Sequence, residues 1–125
     1  MDIKILTGEI MDVAYQVHYE LGPGLYEKVY EAAICVELKS RRLAYEVQKP
    51  INAVYNGVDL GLAFNADIIV ENLVLLELKS VEHLLKVHFK QVQTYLKLSN
   101  IRFGFLFNFN EAYIKDGTNR IINGY

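Results

Sequence analysis

The chain has 125 residues, of which 52% are hydrophobic and 22% are charged, and its formal net charge is −2. These values predict one globular domain spanning residues 1–125, and they exclude a protein that binds nucleic acid over its whole surface. The single cysteine, Cys35, excludes an internal disulfide and favours a reducing compartment. No segment has the apolar run of a signal peptide or a membrane span, so we expect a cytoplasmic protein with no membrane contact.

The first third of the chain has helical periodicity. Apolar residues recur at helical spacing over 8–21, with Thr7 as the predicted N-cap. Gly22-Pro23-Gly24 ends this helix and turns the chain. A second helix is predicted over about 25–40, and because its apolar residues surround most of its circumference, we expect it to be largely buried.

Strand patterns follow these helices. Two strands, 43–56 and 60–70, form a predicted hairpin around Asn56-Gly57. A third strand covers 73–80 and is followed by a long helix over about 83–98.

The last part of the chain is predicted to be strand. A nearly continuous apolar strand spans 102–109, and two short strands, near 112–115 and 119–123, flank Asp116-Gly117. The aromatic residues of 102–109 fit a buried strand better than an exposed interface. The order of elements predicts an α/β domain whose central sheet is covered by helices.

Charged residues interrupt two otherwise apolar strands. Glu77 and Lys79 point to the same sheet face, because strand side chains alternate. Asp67 joins that face only if residues 67 and 77 lie opposite each other, which requires a three-residue loop at 71–73 or a bulge. A two-residue turn at Glu71-Asn72 would place Asp67 on the other face.

Two carboxylates and a lysine on one face have a specific chemistry. Paired carboxylate oxygens suit Mg²⁺, which prefers oxygen ligands and retains several waters. A neighbouring lysine can orient or deprotonate a water, or stabilise charge on a phosphate. The alternative is an ordinary surface ion pair between Glu77 and Lys79.

The predicted helix over 83–98 has three faces. Its core stripe consists of four apolar residues: Leu85, Phe89, Val92 and Leu96. Gln91 and Tyr95 lie one turn apart on the flank, where they either reach the charged strands or are ordinary boundary residues. The far side carries lysines that are solvated or contact a phosphate backbone: Lys86, Lys90 and Lys97.

Glu27 shares a helix face with the apolar residues Tyr30 and Ile34, where an unpaired carboxylate is costly. It either caps the start of its helix, where the helix dipole favours an acid, or it needs a partner such as a metal-bound water.

These motifs resemble those of known families. Asp67 followed by Glu77-Leu78-Lys79 and a helix resembles the D…(D/E)-x-K signature of the PD-(D/E)XK nuclease superfamily. Gln91-Val-Gln-Thr-Tyr95 is similar to the Q-x-x-x-Y motif of its exonuclease-type branch. Gly24-x-x-Glu27-x-x-Tyr30 resembles the signature of the GxxExxY protein family, and the likeness extends over nearly the whole chain. Ala66 stands where the superfamily's name has proline.

The resemblance implies a restriction-endonuclease-like three-layer domain, with a central mixed β-sheet flanked by helices. It also implies hydrolysis of phosphodiester bonds with Mg²⁺, or Mn²⁺ in its place. The implied metal ligands are two side chains and one main-chain carbonyl: Asp67, Glu77 and the carbonyl of Leu78.

The same resemblance implies roles for four further residues. Lys79 would assist the attacking water, and Glu27 would hold a second metal or an outer-shell water. Gln91 and Tyr95 would line the site or contact the substrate.

Two functions follow as hypotheses. The first is a metal-dependent nuclease that acts on DNA in preference to RNA, and whose small size requires a homodimer or a protein partner to hold the substrate. The second is a non-catalytic module that binds nucleic acid or protein and retains the nuclease fold.

Overall fold

The computed structural model describes residues 1–124. Its helices and strands, in chain order, are α1 (Ile3–Leu21), α2 (Glu27–Ser40), β1 (Tyr45–Tyr55), β2 (Val58–Val70), β3 (Val74–Lys79), α3 (Lys86–Ser99), β4 (Phe103–Asn108), a short 3₁₀ helix (Ile114–Gly117) and β5 (Thr118–Ile122). Within this described part of the chain, no helix is long and apolar enough to span a bilayer.

The strands form one mixed sheet in the order β1-β2-β3-β4-β5. All neighbours are antiparallel except β3 and β4, which are parallel. The parallel pair needs a crossover connection, and α3 supplies it. The predicted α/β class with a mixed central sheet is therefore confirmed.

Helices cover both faces of the sheet. On one face, α1 and α2 pack on residues such as Ile68, Leu76 and Phe107 to form the larger core. On the other face, α3 packs through Val92 and Leu96 on Ile69, Leu75 and Leu106. This arrangement is the three-layer architecture of a restriction-endonuclease-like domain. The aromatic strand β4 is buried, as predicted.

The prediction of Thr7 as the N-cap of α1 was wrong. The helix begins five residues before Gly8, and Asp2 is its cap: one Asp2 carboxylate oxygen accepts hydrogen bonds from the main-chain nitrogens of Lys4 (2.8 Å) and Ile5 (3.4 Å). The Thr7 hydroxyl instead donates to the carbonyl of Ile3 within the helix, at 2.9 Å. A carboxylate at the N-terminus satisfies amides that would otherwise lack partners.

Three other expectations differ from the structure. Helix α2 buries one stripe rather than most of its surface, because only one side meets the sheet; Val36 on the opposite side is exposed. Leu85 is 58% exposed because α3 begins after it, at Lys86. Instead of the predicted strand over 112–115, the chain forms the 3₁₀ helix Ile114–Gly117. The hydroxyl of Thr118, which follows this helix, donates to the Ile114 carbonyl at 2.7 Å.

Candidate active site

The hairpin between β2 and β3 sets the register of the charged residues. Its last pair is Val70 with Val74, so the loop contains three residues, 71–73. Glu71 and Asn72 take left-handed conformations, with φ of 53° and 55°, which close this loop. Of the alternatives left open by the sequence, the three-residue loop is the one observed. The register continued past Ile68–Leu76 brings residue 67 opposite residue 77.

Asp67 lies where β2 and β3 separate. The ladder between these strands stops at the pair Ile68–Leu76. Beyond it, the main-chain nitrogen of Leu78 donates to Asp67 Oδ2 at 2.9 Å, so the aspartate side chain replaces a strand partner. The other carboxylate oxygen, Oδ1, accepts from Gln48 Nε2 at 3.1 Å. Each oxygen of Asp67 is thus held by one N–H donor.

Glu77 is a buried carboxyl group with an incomplete set of partners. The residue is 8% exposed, and Oε1 has no hydrogen-bond partner among the described residues. Oε2 lies 3.7 Å from Lys79 Nζ. Burial raises the pKa of Glu77 to about 8; the charge of Asp67, a hydrogen bond with Asp67 and the charge of Glu27 also raise it, while Lys79 lowers it. The positive charge of Lys79 therefore does not offset the effects of burial and of the neighbouring carboxylates on the pKa of Glu77.

Lys79 is held at the end of β3 by the neighbouring strand. Its carbonyl accepts from the main-chain nitrogen of Phe109 at 2.8 Å. The next segment is fixed by the buried side chain of Asn108, which accepts from the nitrogen of Val81 (3.1 Å) and donates to its carbonyl (2.9 Å). These bonds orient the chain immediately after the lysine.

Glu27 reaches toward the same strand end. It is the first residue of α2, and this helix has no side-chain cap hydrogen bond. Its Oε2 accepts from the main-chain nitrogen of Ser80 at 3.4 Å. However, no three Asp, Glu, His or Cys side chains within residues 1–124 form a group that could hold one ion. Glu27 is therefore next to the Asp67–Glu77 pair and is not a third member of a single cluster.

Tyr30 fastens the loop that precedes Glu27. Its hydroxyl donates to the carbonyl of Gly22 at 2.6 Å and accepts from the nitrogen of Leu25 at 3.1 Å. The Ser80 hydroxyl donates to the Leu25 carbonyl at 2.7 Å, which ties the loop to the end of β3. Gly24 has φ of 94°, a conformation that favours glycine. The Gly24, Glu27 and Tyr30 spacing thus builds one structural unit beside the site.

Helix α3 brings Tyr95 to the carboxylates. The Tyr95 ring stacks on Phe64, with centroids 4.0 Å apart. Burial raises the pKa of Tyr95, and the negative charges of Glu77 and Asp67 raise it further. The Tyr95 hydroxyl is therefore close enough to both carboxylates to be affected by their charge. Gln91 is half-buried one turn earlier, whereas the three lysines of the helix are exposed, as expected: Lys86, Lys90 and Lys97.

Two residues of this region were missed by the sequence analysis. Gln48 donates to Asp67 and, at 2.7 Å, to Glu31 Oε2. Glu31 is buried on α2 and also lies 3.6 Å from Lys28 Nζ. A signal existed for Glu31, because it follows Glu27 by one helical turn between apolar neighbours. Gln48 had none, since a single amide in a strand is unremarkable.

The match to a family model decides how this arrangement is interpreted. Residues 4–121 match the model of the PD-(D/E)XK nuclease superfamily. The chain belongs to the PD-(D/E)XK nuclease superfamily. Neither the curated proteins nor the solved structures contain a significant match. Members of this superfamily generally use divalent metals and act on nucleic acid, and the fold described above is the one expected of them.

The residues at the Asp67–Glu77 pair fit a divalent ion. Within residues 1–124, Oε1 of Glu77 is a buried oxygen that has no hydrogen-bond partner. Asp67 holds one N–H per oxygen and retains lone pairs. Two carboxylates and a main-chain carbonyl are hard oxygen donors, which is the set that Mg²⁺ binds while retaining waters.

Proposed function

We propose that the protein is a nuclease of the GxxExxY type that hydrolyses phosphodiester bonds with Mg²⁺, or with Mn²⁺ in its place. DNA is proposed as the first substrate and RNA as the second. The observation that carries the proposal is the buried Oε1 of Glu77, which has no hydrogen-bond partner among residues 1–124 and belongs to a carboxyl group beside Asp67. The other oxygen of that group, Oε2, lies 3.7 Å from Lys79 Nζ. A carboxylate pair is costly in this position unless a cation joins it.

In this proposal the metal is held by Asp67, Glu77 and the Leu78 carbonyl. When bound, the ion supplies Lewis acidity and lowers the pKa of a bound water. Hydrolysis joins the oxygen of one water to phosphorus and breaks one P–O ester bond, which leaves a phosphate and a hydroxyl group.

The remaining residues orient the reactants. Lys79 orients the attacking water and stabilises negative charge on the phosphate. Glu27 holds an outer-shell water beside Ser80, or a second metal. Gln91 and Tyr95 contact the substrate from α3, and the exposed lysines of that helix can meet its phosphates.

A separate observation favours a protein partner. The far end of the β1–β2 hairpin carries five exposed apolar side chains: Val54, Tyr55, Val58, Leu60 and Leu62. Exposed apolar patches of this kind mark interaction sites in soluble proteins. This surface supports a homodimer or a protein partner, and it equally suits the second candidate function, a non-catalytic binding module.

A cleavage assay separates the two functions. Purified protein is incubated with labelled single- and double-stranded DNA and RNA, in Mg²⁺, Mn²⁺ or chelator. We expect cleavage with metal only, and a loss of at least about 100-fold in Glu77→Gln and Asp67→Asn. Asp12→Asn, an exposed carboxylate on α1, is the matched control and should keep parental activity. Binding without cleavage under every condition would favour the binding module.

A further inference from the structure

Gln48 has an uncommon backbone conformation. It lies within β1 at φ of 50°, in the left-handed region that side-chain-bearing residues seldom adopt inside a strand. The flanking pairs, Val47–Ile68 and Lys49–Ala66, place it opposite Asp67. An outlier of this kind persists where the surrounding structure holds it, and such residues cluster at functional sites.

The two strands change faces at this point. In β1, Tyr45 packs on the α1/α2 side of the sheet, whereas Ile51, which has the same parity, packs on the α3 side. In β2, Ile68 faces α1 and α2, whereas Ala66 faces α3. Strict alternation would keep each pair on one face. The left-handed turn at Gln48 therefore lies where the hairpin rotates.

The rotation directs the Gln48 amide between two carboxylates. Nε2 donates to Glu31 Oε2 at 2.7 Å and to Asp67 Oδ1 at 3.1 Å. An amide NH₂ group has two hydrogens, so both are used. Because the amide is neutral, it orients Asp67 without adding a positive charge that would repel a cation.

The other oxygen of Asp67 is held by the main-chain nitrogen of Leu78 at 2.9 Å. Donors on both oxygens fix the rotation of the carboxylate about its side chain. Glu31, on α2, anchors the amide from the opposite side, and this carboxylate is buried. The chain Glu31–Gln48–Asp67 thus connects α2 to the point where β2 and β3 separate.

We propose that Gln48 is a positioning residue that fixes the Asp67 carboxylate for the divalent ion of the proposed function. Its action goes through Asp67, and it does not contact substrate. The left-handed backbone of Gln48 is retained because it delivers this contact. The inference rests on the proposed function for its metal-binding part, and its geometric part can be measured without metal.

The first measurement is amide hydrogen exchange by NMR in chelator. In Gln48→Leu, which removes the donor, the Leu78 amide should exchange about 10-fold faster, because Asp67 is no longer held in place to accept from it. Exchange at Leu76, within the ladder, should not change. Gln48→Gly adopts the left-handed conformation without steric cost and should show the same effect if the leucine variant folds poorly. Unchanged exchange at Leu78 in both variants would overturn the positioning role.

The second measurement is the Mn²⁺ concentration that gives half of the metal-dependent rise in melting temperature. Loss of a group that orients a metal ligand typically weakens metal affinity by about 10- to 100-fold, and we expect this shift in both Gln48 variants. The exposed Gln93→Leu is the control. A purely structural role would lower the melting temperature and leave the Mn²⁺ midpoint unchanged, which would overturn the inference.

The two proposals fail in different ways. If the parent protein shows no metal-dependent shift, the proposed function fails, while faster Leu78 exchange in Gln48→Leu would still support the positioning of Asp67. If the parent binds Mn²⁺ and the Gln48 variants bind it equally well, the proposed function stands and Gln48 has no part in it.

Discussion

The two faces of the sheet differ in the side chains that they bury. The face under α1 and α2 is a continuous apolar core, in which Leu76, Leu78 and Phe107 are almost fully buried. The face under α3 begins in the same way, with Leu75 and Leu106, and then presents Glu77 and Lys79 along the same strand. In the second half of β3, alternation thus places Leu76 and Leu78 on one face and Glu77 and Lys79 on the other.

The difference shows where the molecule accepts an energetic cost. Burial of Glu77 raises its pKa to about 8, so at neutral pH the metal-free protein holds this group largely protonated. The helices over the larger core also carry buried polar residues, but these have partners: His18 Nε2 lies 2.8 Å from the Glu111 carbonyl, and Glu31 Oε2 accepts from Gln48 Nε2 at 2.7 Å. The face under α1 and α2 therefore stabilises the fold. We infer that the face under α3 is less stable because it carries the charged groups that bind a ligand.

The largest expected effect tests the sheet face under α1 and α2, which we call the stabilising face. Phe107 is fully buried between Phe105 and Phe109, with ring centroids 5.1 and 5.9 Å away. Phe107→Ala should lower the free energy of unfolding by about 3–5 kcal/mol, measured by urea denaturation. Phe64→Ala, half-buried on the other face, should cost less than half as much. Equal losses would contradict the assigned division between the faces.

The second prediction concerns Glu77 and pH. Its pKa is about 4.5 in the unfolded chain and about 8 when folded, so the folded state retains a proton that the unfolded state has lost. Stability should therefore fall as pH rises from about 4.5 to about 8, and remain low above that range. In chelator, Glu77→Gln should be more stable than the parent at pH 9, by on the order of 4–5 kcal/mol, and no more stable at pH 4.

Denaturation curves of both proteins at several pH values measure this difference. Glu46 is an exposed carboxylate on β1, and Glu46→Gln retains Glu77, so the stability of this variant relative to the parent should not change with pH. A parent protein as stable as Glu77→Gln at pH 9 would mean that Glu77 is hydrated and normal, and the contrast between the two faces would be lost.

The third prediction concerns the metal. A cation that binds only the folded protein stabilises it by about 2.7 kcal/mol at 100 times its Kd. Mg²⁺ or Mn²⁺ should raise the melting temperature of the parent, more at pH 8.5 than at pH 6, because protons compete for Glu77. Glu77→Gln should abolish the rise and Glu27→Gln should weaken it. Equal shifts in the parent and in Glu77→Gln would place the ion elsewhere.

Much of the fold was predictable because local patterns agree with the final structure. The apolar run of β4 and the periodicity of α3 gave elements close to those observed. The errors at Thr7 and over 112–115 occurred where side-chain hydrogen bonds form at the ends of elements. The error at Leu85 arose because α3 begins one residue after it. For α2, composition could not show which side would meet the sheet.

The site was predictable only in part. The loop at 71–73 fixed the register of Asp67 and Glu77, since one residue more or fewer reverses the face. The contact of Gln48 with Glu31 joins residues 17 positions apart and depends on a left-handed residue inside a strand. Glutamine does not signal that conformation, so no local pattern could have indicated the contact.

The smallest expected effect is at Tyr30. Its ring packs in the core under α1 and α2, and its hydroxyl holds the loop that precedes Glu27. Its ring stacks on Phe109, with centroids 4.6 Å apart, while its hydroxyl holds Gly22 and Leu25. Tyr30→Phe keeps the ring and removes two hydrogen bonds, so it should cost about 1–2 kcal/mol of stability. The freed loop should let Glu27 move away from Ser80, which should weaken Mn²⁺ binding.

Tyr26→Phe is the matched control, because Tyr26 lies in the same loop and is 86% exposed. It should change neither stability nor the Mn²⁺ midpoint of the melting temperature. If Tyr30→Phe loses stability and keeps the parental midpoint, the loop is a structural tie and Glu27 does not depend on it. If both properties change together, the hydroxyl of Tyr30 couples the apolar core to the acidic site, because the loop that it holds also positions Glu27 beside Ser80 at the end of β3.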